Sequence, residues 1–146
     1  MIFHEGTHWF MSAADEQKPV WLEEGLAEVF STFEVRKDQA EWGRAIGEHV
    51  LILNRMAPLS LAQLLAVGRG ELFHGDSLQT GIVYAESWAF VHYLIFGKHN
   101  IPRTALGNYV KLLQTTQQPG EAMQQAFGRT QAELERDFRR YYTNVL

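Results

Sequence analysis

Pro19-Val20-Trp21-Leu22-Glu23-Glu24-Gly25-Leu26-Ala27-Glu28-Val29-Phe30 is the stretch whose reading decides the fold. Trp21, Leu22, Leu26, Val29, Phe30 and, just beyond, Phe33 recur at the spacing of one helix face. The segment therefore predicts an amphipathic helix with that stripe turned to a core. Glu24 and Glu28 stand one turn apart on the face opposite the stripe. Taken alone, such a pair is a solvated patch, because carboxylates on a polar helix face ordinarily meet water.

The residues upstream change that expectation. His4-Glu5-Gly6-Thr7-His8 is an H-E-x-x-H motif. On a helix it stacks two imidazoles one turn apart, where a single metal ion bridges them. Zinc accepts such a pair, and the intervening Glu5 is then placed to take a proton from a water that the metal activates. The alternative is a short amphipathic helix, with Ile2, Phe3, Trp9 and Phe10 on one side and His4 and His8 facing water on the other. A hydrolytic zinc site needs a third protein ligand. Fifteen residues separate His8 from Glu24, enough for a turn that returns the second helix beside the first.

Taken together, H-E-x-x-H followed by W-L-x-E-G-x-A-E resembles the glutamate-zincin metallopeptidases. The layout is most similar to the bacterial peptidase MA-like group, and more distantly to the aminopeptidase N and thermolysin families. The resemblance implies a mostly α-helical, zincin-like catalytic subdomain and a hydrolase that cleaves peptides or proteins with Zn²⁺. It implies His4, His8 and Glu24 as zinc ligands, Glu5 as general base, and Glu28 as the carboxylate that supports a ligating histidine. It also bears on Ile82-Val83-Tyr84-Ala85-Glu86-Ser87-Trp88-Ala89-Phe90-Val91-His92-Tyr93-Leu94. This stretch is similar to the family's later helix, which begins with a tyrosine that reaches the substrate carbonyl, and Tyr84 occupies that position. Packing offers a second account of Tyr84, which shares a helix face with Trp88, Val91 and Ile95. The related families carry a β-sheet subdomain ahead of the catalytic helix; the expectation is a single domain over residues 1–146 that lacks it.

Composition sets limits on the rest. The chain has 146 residues, 46% of them hydrophobic, which suits one domain with one core. Its formal charge is −4, and its 13 basic residues are scattered apart from Arg136, Arg139 and Arg140, so no nucleic-acid surface is expected. Those three arginines fit the polar face of a C-terminal helix. No apolar run reaches the length of a membrane span. With no cysteine, any zinc site must use His, Asp or Glu. Compartment and oligomeric state stay open; a signal peptide upstream would make the protein extracytoplasmic.

The remaining segments predict helix after helix, with no strand alternation. One helix is expected over residues 39–55, carrying Trp42, Ile46, Val50 and Leu53. Ser60-Leu61-Ala62-Gln63 opens a short helix that ends near Gly68. Residues 68–81 form a loop holding His74, a solvent-facing residue or a lining of the cleft. Residues 81–96 form a helix apolar nearly all round, hence central, ended by Gly97. Further helices follow Pro102, a turn at Pro119-Gly120, where Met123, Ala126 and Phe127 predict a short helix closed by Gly128, and a capping box at Thr130-Gln131-Ala132-Glu133. His92 is expected as a hydrogen-bonded core residue, and His49 and His99 at the surface. Two other functional classes fit the same residues: a zincin-like module that holds zinc without hydrolysis, and a metal-free helical interaction domain.

Overall fold

In the computed structural model, residues 4–6, 18–70, 75–116 and 118–145 are described. His8 and His74 lie outside the described residues. Residues 4–6 are helical. The elements that follow are α1 (Val20–Ser31), β1 (Glu34–Arg36), β2 (Gln39–Glu41), α2 (Gly47–Arg55), α3 (Leu61–Ala66), α4 (Ser77–Phe96), α5 (Ala105–Thr116), α6 (Pro119–Phe127) and α7 (Gln131–Val145). The described chain is mostly helical, as expected, and none of its helices is long and apolar enough to cross a membrane.

The centre is α4. Val83 and the run from Ala85 to Leu94 are buried, so this helix is covered on nearly every side. Its largest packing partner is α1; α2, α3 and α7 cover other sides. Trp21 of α1 lies 5.0 Å from the Phe90 ring of α4 and 5.8 Å from Tyr109 of α5, and Phe138 of α7 closes on Phe90 at 5.1 Å. At the contact between α1 and α4 sits Gly25. A Cβ there would lie 2.4 Å from Val91 Cγ2 and 2.5 Å from the Ser87 carbonyl oxygen. Only a residue without a side chain allows the two backbones this approach.

Several local signals act as the sequence predicts. Ser60 and Gln63 form both halves of a capping box, as do Thr130 and Glu133. Gly128 ends α6 in the left-handed conformation, at φ 68°. His92 is buried and uses both ring nitrogens: Nε2 lies 2.7 Å from the Gly43 carbonyl and Nδ1 2.8 Å from the Tyr141 hydroxyl. A carbonyl can only accept, so Nε2 carries the hydrogen and Nδ1 accepts from Tyr141.

Other expectations are corrected. The single helix over residues 39–55 is instead a two-stranded antiparallel ribbon, Glu34 facing Glu41, followed by α2 from Gly47. Strands of three residues are too short to show alternation. Gly43, at φ 74°, breaks the helical path, and Thr32 Oγ1 accepts from the Gly43 and Arg44 amides at 2.8 and 3.1 Å. Trp42 is thereby freed to stack on Phe30, with centroids 5.0 Å apart. The helix expected from residue 81 starts at Ser77, capped by the Asp76 carboxylate on the Gln79 amide at 2.6 Å; Gly81 is tolerated inside it. Pro119 starts α6 rather than marking a turn, because its missing N–H and fixed φ suit a first helical position. Arg139 leaves the polar face of α7. It donates to both oxygens of fully buried Glu86, at 3.1 and 2.8 Å, and to the Leu59 carbonyl. His99 is only half exposed, its Nε2 lying 3.1 Å from both the Tyr93 and Leu94 carbonyls at the end of α4.

Two predictions follow from this packing. Gly25→Ala should lower unfolding stability by about 1–3 kcal/mol, the usual cost of overpacking, because the new methyl meets a backbone carbonyl that cannot swing aside. Chemical denaturation that detects a loss below about 0.5 kcal/mol would show that α1 is free to shift. The second concerns acid. Burial pushes the His92 imidazole below its ordinary value, partly opposed by the Gly43 carbonyl. The unfolded chain therefore takes up a proton near pH 6.5 that the folded chain resists. Stability should fall as pH drops through that value and level off below the folded pKa. His92→Gln should flatten the slope between about pH 7 and 5; an unchanged slope assigns it to other groups.

Candidate metal and catalytic site

The close seating of α1 on α4 brings three chain segments to one cleft. One turn of α1 separates Glu24, which is 5% exposed, from the half-buried Glu28. The N-terminal half of α4 supplies Tyr84, and the helical residues 4–6 supply His4 and Glu5. The cleft has a volume of about 420 Å³ and is lined by His4, Glu5, Glu28, Ser31 and Tyr84.

His4 faces both glutamates, one with each nitrogen. Nε2 is 3.9 Å from Glu24 Oε2, and Nδ1 is 3.4 Å from Glu28 Oε1. A tetrahedral zinc ion with its usual bonds to nitrogen and oxygen holds those two atoms roughly 3.4 Å apart. The gap between His4 and Glu24 is about half an ångström wider, within reach of a side-chain adjustment. The donor chemistry also suits zinc: an imidazole nitrogen and a carboxylate oxygen. Among the described residues no group of three or more His, Asp and Glu side chains gathers as a complete metal cage. The remaining expected ligand, His8, lies outside them.

Glu28 does more than face His4. Its second oxygen, Oε2, is 3.0 Å from Nε2 of His49 on α2. His49 was expected at the surface; it is 8% exposed, with its ring 5.5 Å from that of Trp88. Its place was legible. In α2, His49 falls between Ile46 and Leu53 at helical spacing, so it shares the face that packs on α4. A histidine on an apolar face needs a polar partner, and Glu28 is that partner.

Tyr84 also turns to the cleft. Its phenol lies near the Glu24 carboxylate, whose charge bears on it. Burial pushes the phenol above its ordinary value, and the charges of Glu24, Glu28 and, more weakly, Glu5 push it further. Tyr84 thus remains a neutral O–H donor at physiological pH. Glu5 is exposed on the rim, with its side chain in the cleft lining. Of the residues singled out in the sequence, His4, Glu5, Glu24, Glu28 and Tyr84 converge here.

Compared with family models, curated proteins and solved structures, the chain gives no significant match.

Proposed function

We propose that the protein is a zinc-dependent peptidase of the glutamate-zincin type, with peptides or proteins as substrates. One observation carries the reading: the two nitrogens of His4 divide between the two glutamates of α1. A metal-ligating histidine binds the ion through one nitrogen and donates its other N–H to a carboxylate, which fixes the tautomer and the ring plane. His4 has Glu24 on one side and Glu28 on the other, in that arrangement.

On this reading His4 and Glu24 hold the metal together with His8, and Glu28 accepts from Nδ1 of His4. Zinc bound there supplies Lewis acidity, which polarises the scissile carbonyl and acidifies a water. Glu5, on the rim of the cleft, takes a proton from the attacking water and passes it to the leaving amine. Tyr84, kept protonated by its surroundings, donates to the oxygen on which negative charge develops. The cleft is open to solvent and accessible to a peptide.

The full chain should take up about one zinc ion per molecule, measured by elemental mass spectrometry after purification without chelator. Glu5→Gln should keep the metal and lose at least about a hundredfold in peptide cleavage, read on a broad peptide library. A wild-type chain that stays metal-free after zinc loading removes the reading and leaves a helical interaction domain. A zinc-loaded chain that cleaves nothing leaves a zinc-holding module.

Tyr84→Phe separates an oxyanion donor from a packing residue, since ring volume is unchanged. It should fold, bind zinc and lose on the order of 10²–10³ in kcat with KM largely kept. A kcat within about threefold of wild type, far inside that loss, makes Tyr84 a packing residue.

A further inference from the structure

His49 presents a buried imidazole that makes one hydrogen bond among the described residues. Its Nε2 lies 3.0 Å from Glu28 Oε2, and since a carboxylate accepts, Nε2 is the donor. Its Nδ1 is buried with no hydrogen-bond partner among the described residues. The remainder of the ring packs beside Trp88. His92, one turn further along the same central helix, is the internal comparison: buried to a similar degree, it satisfies both nitrogens. Leaving a buried acceptor without a partner costs free energy. An aliphatic side chain would fill the slot at position 49 without that cost. What an aliphatic side chain would lack is the bond to Glu28.

Glu28 is thereby held from two sides. Oε2 receives His49, and Oε1 is turned to Nδ1 of His4, 3.4 Å away. A carboxylate on a helix surface has several rotamers, and only some of them present an oxygen to His4. We propose that His49 is a positioning residue for the zinc site, locking the Glu28 carboxylate in the orientation that steers His4 toward the metal. The inference rests on the metallopeptidase reading and extends it by one shell, from α1 to α2. His49 touches neither substrate nor metal; it acts only through Glu28.

The test uses the full chain as wild type, H49L, H49Q, E28A and the double variant E28A/H49L. Zinc dissociation constants are measured by competition with a chromogenic chelator, and melting temperatures on the zinc-free proteins. H49L keeps the packing and loses the donor, whereas H49Q keeps an N–H near the position of Nε2. H49L should bind zinc about tenfold more weakly, the low end for partners of a zinc-bound histidine. H49Q should stay within about threefold of wild type, and zinc-free H49L should melt no lower than wild type. In the E28A background H49L should have no further effect, because the route runs through Glu28. Wild-type zinc affinity in H49L, or an equal loss with and without Glu28, overturns the inference. Should H49L fail to fold, H49M replaces it with the same criteria. A wild-type chain that takes up no zinc overturns the metallopeptidase reading and this inference with it, a result distinct from zinc uptake that ignores position 49.

Discussion

Everything in this structure depends on how closely α1 lies against α4. At Gly25 the two backbones come so near that a methyl group would sit 2.5 Å from the Ser87 carbonyl oxygen. That contact fixes the rotation of α1 as well as its distance. With Gly25 pressed on α4, Trp21 enters the core and Val29 is sealed, while Glu24 and Glu28 are carried to the edge where Tyr84 and His4 stand. A larger residue at position 25 would lift α1 and draw the Glu24 and Glu28 charges away from the Tyr84 phenol on which they now bear. Core packing and site geometry are thus one constraint, because interiors packed at this density transmit displacement rather than absorb it.

The two ends of α4 show opposite solutions for buried polar groups. Toward its C-terminus, His92 is tied to Gly43 and Tyr141, and Trp42 and Phe96 close over the junction with centroids 5.0 Å apart. In the middle, Glu86 is fully buried but meets the Arg139 guanidinium through both oxygens. These groups are settled, and their work is to pin the ribbon and α7 to the central helix. At the other end the polar groups converge on a cleft: His4, Glu5, Glu28 and Tyr84 line space that can receive a ligand, with Glu24 3.9 Å from His4 behind it. Satisfied polar networks specify structure; an open convergence of titratable groups is where chemistry can be done.

Most of the helices were legible because their signals are local. The capping boxes at Ser60 and Thr130, the left-handed glycine at position 128 and the apolar run of α4 each depend on a few neighbouring residues. What escaped was decided at a distance. The ribbon after α1 exists because Gly43 and the Thr32 hydroxyl redirect the chain and Trp42 finds Phe30 and Phe96. Arg139 turns inward because a carboxylate 53 positions earlier in sequence lies buried beneath it. The site divides in the same way. The H-E-x-x-H spacing pointed to His4 and Glu5, and the resemblance carried by the second motif added Glu24 and Glu28. His49 joins from a third helix, 21 positions from Glu28, and only the helical phase of Ile46, His49 and Leu53 hinted at its burial.

The electrostatics of the cleft bear on the proposed metal. The Tyr84 phenol feels three carboxylates, Glu24, Glu28 and Glu5, each raising its pKa. Gathering negative charge around one hydroxyl is unfavourable in a partly buried place, where water screens poorly. In a chain of net charge −4, long-range attraction elsewhere does little to offset it. On the proposed reading, a divalent cation held by His4 and Glu24 would offset that repulsion, and would also change what Tyr84 does. With the Glu24 charge compensated by a cation, its influence on the Tyr84 phenol would weaken. The phenol would then be available to an oxygen that enters the cleft. On the proposed reading, metal loading would do two things at once: relieve the carboxylate cluster and free the donor that the reaction requires.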